Sequence, residues 1–109
     1  MHLDPFAPPA LTSVTMGLAN YLLKRHGEAV HWFRESALRL PNHQAFHVCL
    51  ASAYAQLGKL EEARKEAAEV LRINPGFTIE VYKRILPYKD PNDLEHRLDG
   101  MRKAGLPKR

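Results

Sequence analysis

An offset of 34 residues superimposes two stretches of this chain. Shifted by that amount, Val14 falls on Val48, Ala19 on Ala53, Leu23 on Leu57, Glu28 on Glu62, Ala29 on Ala63, Glu35 on Glu69 and Pro41 on Pro75. A period of this length holds one helix-turn-helix unit. Such a unit cannot bury its apolar side alone, so units stack on one another and the last one needs a cap. The repetition therefore limits the chain to an open, all-α solenoid, which offers a surface for binding more readily than a closed site for catalysis.

The remaining totals narrow this further. The 109 residues make one small domain, able to bury only a thin core. The net charge of +4 is spread along the chain, and no run exceeds two adjacent basic residues, as at Lys24-Arg25, Lys83-Arg84, Arg102-Lys103 and Lys108-Arg109. Such dispersion reads as a solvated basic surface. A basic helical domain that binds nucleic acid is the alternative reading. The lone Cys49 excludes an internal disulfide and fits a reducing compartment. No apolar run approaches the roughly 20 residues needed to span a bilayer. The start, Met1-His2-Leu3-Asp4-Pro5, has no secretion-signal profile. A cytoplasmic location is expected.

Helix signals partition the chain into four regions. Residues 1–9 are proline-rich, and Pro9 suits the first turn of a helix over about Ala10 to Leu23. Leu11, Val14, Leu18, Tyr21 and Leu22 form one stripe of that helix, with Met16, Ala19 and Leu23 on another side. A second helix is expected from about Glu28 to Leu40, ended by Pro41. These make a first unit over residues 10–43. The second unit, residues 44–77, holds a helix from about His43 to Leu57, a Gly58 cap, and a helix from Leu60 to Ile73 that Asn74-Pro75-Gly76 stops. Residues 78–109 differ. Thr78 caps a short helix that Pro87 cuts. Asp90 and Pro91 then open a last helix to about Ala104, whose stripe of Leu94, Leu98 and Met101 suits a capping helix.

These units resemble the tetratricopeptide repeat, with its pattern W-x2-L-G-x2-Y, A-x3-F and P. The second unit supplies His47-x2-Leu50-Ala51-x2-Tyr54, Ala63-x3-Ala67 and Pro75. The first supplies Ser13-x2-Met16-Gly17-x2-Asn20, Ala29-x3-Phe33 and Pro41. Departures are clear: Ser13 and His47 stand at the aromatic opening position, Asn20 replaces tyrosine, and Gly27 comes three places later than Gly58 does. The resemblance implies a right-handed superhelical stack in which Met16, Gly17, Ala29, Phe33, Pro41, His47, Leu50, Ala51, Tyr54, Ala63, Ala67 and Pro75 pack repeats together. Leu3-Asp4-Pro5 is similar to Ile73-Asn74-Pro75, so the chain is expected to be the C-terminal end of a longer array. Its tail, from Asn74-Pro75-Gly76-Phe77-Thr78 through Leu86-Pro87-Tyr88-Lys89-Asp90-Pro91 to Gly105-Leu106-Pro107, resembles the ending of bacterial multidomain proteins with an adenylate/guanylate cyclase-type domain upstream. An accessory module is implied.

Chemistry-bearing constellations are lacking. His43 and His47 lie four apart, a spacing that can share a metal. No third ligand follows in phase, since Cys49 lies well round the helix from them. Glu61, Glu62, Glu66 and Glu69 form a regular solvated face. Ala53 to Lys59 superficially suggests a DNA-binding helix-turn-helix, but Tyr54 and Arg64 occupy places that call for a small and an apolar residue. No catalytic residue, cofactor or metal site is expected. In the family's register, Leu11, Val14, Thr15, Leu18, Tyr21 and Leu22 line a concave groove in the first repeat, and Ala45, Val48, Cys49, Ser52, Ala55 and Gln56 line it in the second. Val14, Leu18, Val48 and Ser52 stand where members that clamp terminal carboxylates have Lys and Asn. The expected partner is an apolar or amphipathic protein segment, or a second copy of the chain, with no role for a membrane.

Overall fold

The computed structural model describes residues 9–109, and every regular element among them is helical. Four helices form two antiparallel pairs: α1 (Ala10–Leu22) with α2 (His26–Arg39), and α3 (Gln44–Gln56) with α4 (Leu60–Ile73). The pairs stack through α2 against α3. A short helix α5 (Ile79–Tyr82) runs into one 3-10 turn, Lys83–Ile85, and α6 (Pro91–Lys103) returns across α3. Leu3-Asp4-Pro5 lies outside the described residues.

The 34-residue period is written in the turns as well as in the helices. At the end of α1 the N–H groups of Leu23, Lys24 and Arg25 donate to the carbonyls of Ala19, Tyr21 and Asn20. At the end of α3 those of Leu57, Gly58 and Lys59 donate to Ala53, Ala55 and Tyr54, each 34 residues on. Leu40 to Ser36 and His43 to Leu40 likewise recur as Asn74 to Val70 and Phe77 to Asn74. The displaced Gly27 is thereby explained. Lys24, not Gly27, sits at the place of Gly58, with φ of 61° against 77°. Gly27 lies inside α2 with nothing near its Cα side.

Packing within each pair depends on complementary sizes. A Cβ on Gly17 would stand 2.4 Å from the Phe33 ring, so α1 lacks a side chain where α2 presents its largest buried one. The same two places in the second repeat hold Ala51 and Ala67. Ala29, Ala51 and Ala63 are wholly buried and Leu50 nearly so. Tyr54 is half-buried, Pro41 and Pro75 lie exposed in turns, and Met16 is 42% exposed on the open side of α1. His47 is buried. Its Nδ1 lies 2.7 Å from the Glu66 carboxylate and its Nε2 2.6 Å from the Pro41 carbonyl. Both partners only accept, so both nitrogens are engaged in tying α3 to α4 and to the turn before it.

Beyond Pro75 the period stops. Phe77, Ile79 and Tyr82 insert with Val48, Val70, Leu98 and Met101 into one apolar cluster. Thr78 caps α5 by accepting from the Val81 N–H. The Ile79 and Glu80 N–H groups donate to Pro107 and Lys108 carbonyls of the chain's last turn. These contacts seat the tail on the second repeat.

The left-handed backbone at Lys24 carries a steric cost that glycine escapes. Lys24→Gly is expected to stabilise the chain by about 1 kcal/mol and Gly58→Ala to destabilise it by about 1 kcal/mol. Urea denaturation of both variants beside the parent checks the pair of signs.

Candidate functional site

The placement of α6 decides which surface is left for binding. Asp90 caps it by accepting from the Asn92 N–H at 2.8 Å, with Pro91 at the first helical position. Leu98 and Met101 enter the core, and Leu94 packs at its edge. Gly100 is the point of closest approach. A Cβ there would stand 2.3 Å from the Tyr21 hydroxyl and 3.0 Å from the Ser52 carbonyl. A polar network surrounds the contact. Tyr21 donates to the His96 carbonyl at 2.8 Å, and Gln56 donates to the Tyr21 hydroxyl and the Asp99 carboxylate, each at 3.2 Å. Lys103 reaches both Gln56 and Asp99.

This arrangement corrects the expectation of one groove across both repeats. Val48, Ser52 and Ala55 are buried beneath α6, and Gln56 is bonded to it. Tyr21 is also buried, at the junction of α1, α3 and α6. The reason is physical: small Ser52 and Ala55 leave a channel along α3 that α6 fills through Gly100 and Ala104. Among the described residues, none covers the concave side of α1 in this way. There Leu11, Val14, Leu18 and Leu22 line a cavity of about 490 Å³, with Leu11 71% exposed.

Of the opposite walls, only Ala45 and Cys49 stand in the family register. His43, Ala45, Phe46 and Cys49 come from the start of α3, and the His43 ring stacks on Phe46 at 4.3 Å. Tyr82 ends α5, Leu86, Pro87 and Tyr88 come from the segment between α5 and α6, and Arg97 comes from α6. Sequence reasoning missed this tail wall. One signal was available: Arg97 falls in phase with Leu94, Leu98 and Met101, so a cation sits within the stripe that faces the protein.

Burial sets the electrostatics of the walls. It pushes the Tyr21 and Tyr82 hydroxyls up to about 12 and raises the Tyr88 hydroxyl and Cys49 thiol. All four are uncharged at neutral pH, and Cys49 is no nucleophile. Beside the network, His26 and His96 approach through their Nε2 atoms at 3.0 Å. Burial is the first cause that lowers both imidazoles. At His26 the His96 ring and then Lys103 and Lys24 add to it; at His96 the Tyr21 hydrogen bond and Asp99 oppose it, while Lys24 and Lys103 add to it.

Metal-ligating side chains are dispersed among the described residues. They include no cluster of three His, Cys, Asp or Glu side chains able to hold a metal, and His47 has neither nitrogen free. Several exposed cations are paired locally, Arg72 with Glu69, Lys83 with Glu80, Arg102 with Glu95 and Lys103 with Asp99, which disfavours the nucleic-acid alternative. No helix among the described residues is long and apolar enough to cross a membrane.

Comparison with known proteins agrees with this architecture. The family model of the tetratricopeptide repeat matches residues 44–77, which are α3, α4 and the turns that follow each. A Rhizobium meliloti (strain 1021) protein named for adenylate cyclase is 41% identical over 44 residues. That stretch is 40% of this chain and 8% of the relative, so the chain spans under a tenth of that protein's length. No solved structure matches.

Two outcomes follow from the docking of α6. Gly100→Ala is expected to lower stability by about 1–3 kcal/mol through overpacking against Ser52 and Tyr21. Dye binding to newly exposed apolar surface should rise with it. The His26–His96 pair should make the fold sensitive to acid. Both imidazoles are lowered in the folded chain, so the unfolded chain takes up protons first, near the ordinary value of about 6.5. Stability is therefore full above that pH and falls as pH drops through it toward the folded values. Urea midpoints measured from pH 7.5 to 5 should decline, and the decline should flatten in the double variant His26→Gln, His96→Gln.

Proposed function

We propose that this chain, whose residues 44–77 are a tetratricopeptide repeat, is a non-catalytic module that binds an apolar or amphipathic protein segment. The observation that carries this reading is the open apolar cavity beside α1, walled by Leu11, Val14, Leu18, Phe46, Leu86 and Tyr88. These walls come from different elements, and the capping helix adds Arg97 without filling the space. A helix or extended segment with apolar side chains at regular spacing would exchange water for these walls on docking.

The division of labour follows the domain organisation. Residues 10–43 supply the open wall. Residues 44–77 supply the repeat core, and 78–109 close the stack and complete the cavity. The chain would serve as an accessory region of a larger bacterial signalling protein, as the partial likeness to a cyclase-named relative supports. A cytoplasmic location suits its lone reduced Cys49. The open reading frame around these residues is the direct test of that context.

Selection of a displayed library of random 12-residue peptides on the immobilised chain tests the binding reading. Enrichment of peptides with regularly spaced apolar residues is expected, and Leu18→Glu should abolish their capture while leaving helicity unchanged. Self-association is read in parallel by sedimentation at rising concentration. A strict monomer that enriches no peptide through Leu18 would sink the proposal.

A further inference from the structure

Among the described residues, Arg97 is a buried cation without a counter-ion. It is 2% exposed, it lines the cavity, and its Nε has no hydrogen-bond partner. None of the ion pairs among the described residues involves it. Asp93, one turn earlier on α6, makes no ion pair with it, and Asp99 is engaged by Lys103 and Gln56. The groups around the guanidinium are Tyr21, Cys49, Tyr82 and Tyr88, all neutral at physiological pH; the last three accept hydrogen bonds from it but supply no charge. The Tyr21 ring lies 5.6 Å from the guanidinium and offers it a cation–π contact. That contact offsets only part of the cost of removing a charge from water. Arginine cannot escape that cost by losing its proton. Among the described residues the interior is thus short of one negative charge, and the cavity is the side from which one can reach Arg97.

We propose that the segment bound in the groove carries one Asp or Glu side chain flanked by apolar residues, and that Arg97 receives its carboxylate. This deepens the binding reading above and rests on it. The walls on either side of Arg97 are apolar, Leu18 and Phe46 on one hand and Leu86 and Tyr88 on the other. They accept apolar neighbours and leave the guanidinium as the single strong donor. A planar guanidinium also matches a carboxylate bidentately, which makes the pairing directional. The positions Val14, Leu18, Val48 and Ser52 on α1 and α3 offer no cation, so the charge is supplied by the capping helix alone.

The test runs the displayed 12-residue library in parallel on the parent chain and on Arg97→Met. The parent is expected to enrich peptides with one acidic residue between apolar ones. The variant should keep the apolar preference and lose the acidic one. An enriched peptide is then synthesised with an amidated C-terminus, so that its side chain carries the only carboxylate. Changing that Asp or Glu to Asn or Gln should weaken binding to the parent roughly tenfold or more. This last comparison leaves the protein untouched and decides the matter even where Arg97→Met does not fold. An enriched pool with no acidic preference, or an amide analogue that binds as tightly, overturns the role of Arg97 and leaves the groove reading standing. Loss of all enrichment removes the groove reading itself. Self-association that the peptide displaces would make a second copy the occupant and overturn the proposal.

Discussion

The contact of Gly100 with Ser52 governs how much of this molecule is surface. Two helices can approach this closely only where neither presents bulk, and here one residue has no side chain and the other a single hydroxyl. Once α6 lies along α3, Leu98 and Met101 close the apolar cluster over Val48 and Val70, and the Tyr21–Gln56–Asp99 network locks the direction of the helix. A stack of two helical pairs would otherwise end on an uncovered face. The cap turns what the repeat register presents as a groove into core, and it leaves only the α1 side open.

That closure also creates an electrostatic imbalance among the described residues. Because α6 carries Arg97 in phase with its apolar stripe, docking the helix buries a cation together with Leu98 and Met101. Neighbouring tyrosines and a thiol, all held neutral by burial, do not discharge it. The interaction that stabilises the end of the stack thus shapes the chemistry of the cavity that remains. Fold and proposed function meet in a single helix.

Repetition explains why so much of the backbone was legible beforehand. A residue pattern that recurs at 34 positions imposes recurring hydrogen bonds, and the turn bonds of the first pair return in the second at that offset. Where a repeat deviates, the fold keeps the backbone and changes the side chain. Lys24 adopts the left-handed conformation that Gly58 takes more easily, and Gly17 opposite Phe33 does the work of Ala51 opposite Ala67. The displaced Gly27 does not mark the first turn, because glycine marks a left-handed residue only by preference, and the fold imposes that conformation on Lys24.

The sequence by itself determined the helices, their antiparallel pairing, the small residues between them and the existence of a final capping helix. These depend on contacts within one period, where spacing is a direct proxy for distance. Only the tertiary structure decided where the cap lies, that it covers Val48, Ser52 and Ala55, and that Tyr82, Leu86, Tyr88 and Arg97 wall the cavity with α1. Those contacts join residues up to about eighty positions apart, and no period relates them. They follow from the shape of the channel along α3 and the turn forced by Pro87, quantities that exist only once the helices have packed.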